Sequence, residues 1–377
     1  MRYVLKQFDT PILTFTASEG ADSDIHFEAV CEPSRDLLPL DLELSEDGLL
    51  RWLRRRTIPK NRAYVQSFLS KCGLSINRPL DIIRFSKGLA LNDSYWVVEE
   101  GFQGVFDQYN LFENPFSRIL AEIAFTGCGS SSRSTFASSP EFTTQGMLPK
   151  CWRRIDGHVT LYKGGTRGAA NTGFEPYSEF YAAQIAGFMG FDHVDYGLSR
   201  WKGELCSTCR IFTDKGRSYI PAGHLVRAGG IKAVREYYAS LGPDFVKAMD
   251  DMIILDALIW NTDRHFDNFG LLIDNQTNRV DAPAPLFDHG NSLFNYAGRD
   301  DLESVKDLIK YAQTLLPVTY DDYMAEAAGV LRQDHREGLR KILGFRFRKH
   351  PRYNLPDDRL RLIEQLLRQR AQELLAN

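Results

Sequence analysis

"WNTDRHFDNFG", residues 260–270, sets two acids, an arginine, a histidine and amides directly behind the apolar run "DMIILDALI". Charged and amide side chains are seldom buried without partners, because taking them out of water is costly. The run is therefore either an exposed turn or a loop that delivers ligands to a site. Ala248, Met252, Leu255 and Ile259 have the spacing of a buried helical stripe that ends near Trp260. Asp263 and Asn268 then fall in the loop that follows, five positions apart. Twenty positions further on, "PLFDHGNSLF" places Asp288 two residues before Gly290. Between them, "FGLLID" and "APLFD" read as a short strand pair.

An Asp, an Asn and a second Asp on two neighbouring loops suit a magnesium site, since that hard cation takes oxygen ligands and few of them from protein. Asn268 and Asp288 offer two such oxygens, which leaves Asp263 to accept a proton from an attacking hydroxyl. That division of labour is phosphoryl transfer, in which positioning and charge neutralisation supply most of the catalysis. The chemistry also needs a cation for the nonreacting phosphates, a carboxylate to orient it, and a glycine loop.

All three have candidates upstream. "MLPKCWRR" and "HVTLYKGG" read as two strands joined at Ile155-Asp156-Gly157, with Val159, Leu161 and Lys163 alternating onto one face. "EPYSEFYAAQIAGFMGF" reads as a helix with Tyr181, Ile185 and Phe188 as its apolar stripe; it carries Glu179, sixteen positions after Lys163. Gly146, in "TTQGMLPK", directly precedes the hairpin and is the candidate phosphate-loop glycine. A second hairpin, "HVDYGLSRWKG" with "ELCSTCRIFT", turns near Lys202-Gly203-Glu204.

The 377 residues are 43% hydrophobic and 25% charged, an ordinary globular mix sized for two or three domains or one two-lobed enzyme. A net charge of -3 gives no general reason to expect nucleic acid or an anionic membrane as the main partner. No signal-peptide pattern or bilayer-length apolar run is seen, and six cysteines read as reduced thiols, so a cytoplasmic location is expected. The Cys206–Cys209 pair reads as part of a strand rather than a zinc site. "LLRWLRRRTIPKNRAYVQSFLSKCGLS" reads as two helices broken at Ile58-Pro59. Its Arg51, Arg54, Arg55, Arg56, Lys60 and Arg62 read as a solvated positive face, with a docking surface as the alternative. Residues 127–146, rich in Ser and Gly, read as a long loop, and from about residue 216 helical spacing dominates.

"NTDRHFDNFG" with "FDHG" resembles the HipA-like kinases, a bacterial serine/threonine kinase family of toxin–antitoxin systems. The same pattern is similar to that of phosphatidylinositol kinases. The resemblance covers roughly residues 80 to 330, and "SKGLALNDSYWV" (86–97) looks like the entry segment of such proteins. It implies an α+β, two-lobed protein-kinase-like fold with a mixed, sheet-containing N-terminal lobe and a mainly helical C-terminal lobe. The corresponding divisions are an accessory region at 1–100, an N-lobe at 101–215 and a C-lobe at 216–377.

The resemblance also implies ATP and Mg2+ as cofactors, with Asp263 the catalytic base and His265 assisting near the transferred phosphoryl group. Asn268 and Asp288 would hold the metal, Lys163 the ATP phosphates, and Glu179 would hold Lys163. Ile211 and Phe212 would lie in the strand that meets adenine. Phosphate loops of the family often read S-x-x-G-x-Q-x-K; here Thr143 replaces the Ser and Leu148 the Gln, while Gly146 and Lys150 are kept. Self-phosphorylation of the loop would then fall on Thr143 or Thr144. The first eighty residues look unlike the family's usual N-terminal module. The expected substrate is a protein Ser or Thr, with an antitoxin as a partner and neither membrane binding nor direct DNA contact. Two alternatives use the same residues: a kinase-shaped nucleotide sensor that docks a partner protein or DNA complex, and a small-molecule or lipid kinase.

Overall fold

The computed structural model describes residues 1–19, 25–30, 35–129 and 139–376. Much of the expected Ser/Gly-rich loop, residues 130–138, lies outside these.

Strands β1 (Arg2–Gln7), β2 (Thr10–Glu19) and β3 (Ile25–Val30) come first. Helices α1 (Glu46–Arg54), α2 (Val65–Lys71) and α3 (Pro79–Ser86) follow, then β4 (Tyr95–Glu99) and α4 (Arg118–Thr126). The four strands form an antiparallel sheet in the order β3-β2-β1-β4. Tyr3, Leu5 and Val97 pack on one face with Trp52 and Leu53 of α1 and Ile83 of α3. Val4, Trp96 and Val98 pack on the other with Leu89, Phe106 and Leu111. Both faces are covered, so Tyr95–Val98 of β4 is a continuous apolar run, and only Glu99 at its end is exposed.

The break at Ile58-Pro59 falls between α1 and α2, as expected. The expected solvated basic face forms only in part: Arg51, Arg54 and Lys60 are exposed, but the other three are not. Arg56 and Arg62 are buried, Arg56 paired with Asp93; Arg55 pairs with Asp41, and Arg51 with Glu43. Burying a guanidinium is tolerable only with such partners.

Strands β5 (Lys150–Ile155) and β6 (His158–Gly164) form the expected hairpin. Asp156 (φ 48°) and Gly157 (φ 80°) take the left-handed conformations that a two-residue turn requires. Helix α5 (Glu175–Met189) leads to the hairpin of β7 (Gly197–Trp201) and β8 (Glu204–Arg210). Within α5, Tyr181 and Ile185 are buried as expected, whereas Phe188 is 43% exposed. The CSTC cysteines lie in β8, and among the described residues no three-donor metal cluster includes them.

Next come β9 (Arg217–Pro221), α6 (Ala222–Leu225), α7 (Gly230–Leu241) and α8 (Pro243–Ile259). Residues 251–260 are all buried, so α8 is enclosed and its apolar stripe is only part of its burial. Strands β10 (Gly270–Asp274) and β11 (Arg279–Pro283) join β9 in the order β11-β10-β9. The partner of "FGLLID" is thus 279–283, not "APLFD"; Leu286 of the latter instead bridges His193. Helices α9 (Val305–Ala312), α10 (Tyr323–Gly329), α11 (Gln333–Ile342) and α12 (Asp357–Ala376) complete the chain. The sequence reading missed α11.

The chain divides into two compact units. One contains Met1–Lys163, Arg210–Ile220 and Leu272–Asp281; the other contains Gly164–Cys209, Pro221–Leu271 and Ala282–Asn377. The first holds the four-stranded sheet, and the second holds α5 and every helix from α6 onward.

Candidate functional site

In the second unit, Trp260 (φ 52°) turns the chain out of α8, its amide still bonded to the Asp256 carbonyl. The loop that follows is built around Arg264. Arg264 and Asp256 are almost completely buried, with Nε 2.9 Å from Oδ2 and Nη2 3.0 Å from Oδ1. Nη1 donates to the carbonyls of Asn268 (2.8 Å) and Phe287 (2.7 Å). Burial works against the charge on Arg264, but Asp256 outweighs it and the pKa is raised. Nη2 also lies 3.0 Å from His289 Nδ1. A guanidinium can only donate, so that imidazole nitrogen accepts and the tautomer of His289 is set. One buried cation thereby ties together the segments that carry Asn268 and Asp288.

The candidate base is held from both sides. Asn261 Oδ1 accepts the Asp263 amide at 3.1 Å, and Asn291 Nδ2 donates to Asp263 Oδ2 at 2.9 Å. Asn268 Nδ2 donates to the Asp263 carbonyl at 2.8 Å, which leaves Oδ1 as its metal-type donor. The amide and hydroxyl of Thr262 both donate to the Asn291 carbonyl, so the 260s loop and the 288–295 loop are stitched together. His265 is exposed, and its Nδ1 accepts the Asp267 amide.

Asp288 occupies a left-handed conformation (φ 55°), uncommon for a residue with a side chain and typical of functional sites where surrounding bonds sustain it. Those bonds are explicit. The Asp288 amide donates to the Tyr196 hydroxyl at 3.1 Å, and the next amide, His289, donates to Glu179 Oε2 at 2.8 Å. Burial, followed by the charge of Glu179, raises the Tyr196 pKa well above its usual value, so the phenol stays protonated. Glu179 is fully buried on α5 and fixes the loop of Asp288. Asn291, Asp256 and Tyr196 were not singled out in the sequence. The acid inside "MIILDALI" was the available signal, because a charge in such a run must have a partner.

In the first unit, Lys150 and Lys163 are directly opposite across the β5–β6 hairpin, and both are buried. Opposed like charges disfavour a sheet pair unless something answers them. Lys150 Nζ folds back onto the Gln145 carbonyl at 2.9 Å, beneath Gly146. Gly146 has φ +89°, and a Cβ there would lie 2.3 Å from that amine. Arg62 supports the loop from below, donating to the carbonyls of Glu141 and Thr144 and, at 2.6 Å, of Lys150. Burial lowers its pKa to about 10, against the pull of Glu141. The loop hydroxyls are engaged: Thr143, buried, donates to the Leu89 carbonyl, and Thr144 donates to the Pro140 carbonyl while accepting the Trp152 indole. The Ile211 amide donates to the Val159 carbonyl and its side chain packs on the core; Phe212 meets Tyr219 edge-on.

No family model matches the sequence, and no curated protein matches it. Solved structures do resemble the fold, two kinases among them. Shewanella oneidensis HipA, solved as a complex with HipB and operator DNA, is 14% identical, covers 99% of this chain and 96% of its own, and has a TM-score of 0.51. The Helicobacter pylori proinflammatory kinase CtkA is 15% identical over 62% of this chain and 90% of its own, with a TM-score of 0.48. The chain therefore has a HipA-like kinase fold, and that likeness takes in the first eighty residues, which the sequence had set apart.

Proposed function

We propose that the chain is an ATP- and magnesium-dependent kinase that transfers the γ-phosphoryl group to a Ser or Thr hydroxyl of a protein. The observation that carries this reading is the Asp263 carboxylate, aimed by Asn291 and set in the same stitched pair of loops as Asn268 and Asp288. Asp263 takes the proton of the attacking hydroxyl, and the Asn291 amide keeps one of its oxygens from turning away. Asn268 Oδ1 and the Asp288 carboxylate are hard donors on immobilised backbones, a set that fits magnesium. When bound, the metal neutralises phosphate charge. Lys163, Lys150 and the Gly146 loop hold phosphate oxygens. Glu179 keeps the Asp288 segment in its strained conformation through the His289 amide. The complex formed by the Shewanella protein supports an antitoxin-like partner for this chain too.

Incubation with γ-labelled ATP, magnesium and a mixed protein substrate tests this. Label on Ser or Thr that disappears in Asp263→Ala is expected. Wild type as inert as that variant would remove the assignment.

A further inference from the structure

A cavity of about 470 Å³ opens in the second unit on the flank of α5. Its volume is that of a ligand pocket, and the phosphoryl-transfer chemistry proposed above does not use it. Phe180, Phe188 and Phe345 give it an aromatic rim, and Arg346 and Arg348 border it. The two arginines come from "FRFR", residues 345–348, where buried Phe345 and Phe347 alternate with exposed Arg346 and Arg348. Arg346 pairs with Glu364 at 3.1 Å; among the described residues, no acid pairs with Arg348. Phe188, 43% exposed, meets Phe345 edge-on at 5.1 Å and leaves ring surface open to solvent.

An open aromatic surface beside an unneutralised guanidinium is complementary to a ring or large aliphatic side chain next to a carboxylate. A nucleic-acid backbone fits less well. Arg346 is already neutralised by Glu364 and the exposed Asp195 carboxylate also borders the cavity, so the one guanidinium left, Arg348, suits a single carboxylate rather than a run of phosphates. We infer that this pocket docks a carboxylate-bearing segment of a partner protein, which seats an aromatic or large aliphatic side chain on the open ring surface of Phe188 and places a neighbouring carboxylate on Arg348.

Occupancy has a direct route to the other site. Tyr196 lines the same cavity, and its hydroxyl accepts the Asp288 amide. A side chain seated against this ring restricts the group that sustains the left-handed Asp288. The consequence for catalysis rests on the reading of Asp288 as a metal ligand; the docking itself does not.

Fluorescence anisotropy of the full chain with a labelled Glu-Asp-Phe-Glu-Asp-Leu peptide tests the docking. Controls carry Ser for Phe, Lys for every acid, or are a labelled DNA duplex. Saturable binding of the acidic peptide is expected, weakened about tenfold or more by Arg348→Glu and by Phe188→Ser with circular dichroism unchanged. Hydrogen exchange over 286–290 should slow when the peptide binds wild type but not Tyr196→Phe, which still binds. Binding no better than the Lys control, binding indifferent to Arg348→Glu, or a preference for the duplex overturns the docking. Exchange that slows equally in Tyr196→Phe overturns the route through that hydroxyl. Neither readout depends on phosphoryl transfer, so both stand apart from failure of the kinase reading.

Discussion

The Asn291 side-chain amide donates to Asp263 Oδ2 at 2.9 Å, while its own Oδ1 accepts from Asn295 at 3.2 Å. The orientation of the proposed base is thus fixed by a residue three positions beyond Asp288, in the loop that carries the proposed metal ligand. A hydrogen bond to a charged group contributes about 1.5–3 kcal/mol. Asn291→Ala should therefore lower kcat roughly 10- to 100-fold, with the KM for nucleotide little changed. Steady-state kinetics with unchanged kcat would show that Asp263 needs no such aim.

Arg264 and Asp256 form a buried pair with three further contacts radiating from the guanidinium side, to the carbonyls of Asn268 and Phe287 and to His289 Nδ1. Removing one partner leaves an uncompensated charge, so Arg264→Met should destabilise the fold by about 3–5 kcal/mol in urea denaturation. The double variant Asp256→Leu/Arg264→Met should recover much of that stability and none of the activity, because the carbonyls of Asn268 and Phe287 lose their donor. Recovery of both would reduce the pair to a packing element.

Gly146 is read as the glycine of a phosphate loop, and its left-handed backbone and the nearby Lys150 amine make that reading testable. Gly146→Ala should cost about 1–2 kcal/mol of stability from the backbone alone. It should also displace the Lys150 amine and weaken nucleotide binding, measured by calorimetry. An Ala variant with native stability and affinity would contradict the geometry.

Asp251 gives the pH dependence a sign. Burial alone would raise its carboxyl, but hydrogen bonds from His335, Lys247 and Arg332 outweigh burial and hold it below its ordinary value of 3.8. The folded pKa is below the unfolded one, so ionised Asp251 stabilises the fold above the unfolded value. That stabilisation is lost as pH falls through the depressed folded value. The stability gap between wild type and Asp251→Asn should be widest above about pH 5 and close progressively below it. A gap independent of pH would count against the network.

Local features were the most legible in the sequence. Both hairpin turns carry a glycine at a positive-φ position, Gly157 and Gly203, and Pro59 separates α1 from α2. Period and turn chemistry act over a few residues, so they can be read there. Long-range partners were not legible. Arg56 and Arg62 looked like a solvated face because nothing local announces Asp93 or the carbonyls of 141–150. The strand partner of β10 was misplaced because "APLFD" is the more apolar segment, while "RVDAP" is the one the turn at Asn278 (φ 51°) delivers. The units are assembled from separated stretches, and composition carries no trace of that. At the site, Asp263, Asn268 and Asp288 were read from spacing, but Asn291, Arg264 as a hub and Tyr196 follow only from three-dimensional contacts.

The most direct measurement compares wild type with Asp263→Asn, a near-isosteric change, for phosphoryl transfer and nucleotide binding in the same preparation. A base in the proposed role predicts transfer reduced by about 10²- to 10⁴-fold with nucleotide affinity essentially retained. Transfer at the wild-type rate in Asp263→Asn would contradict it.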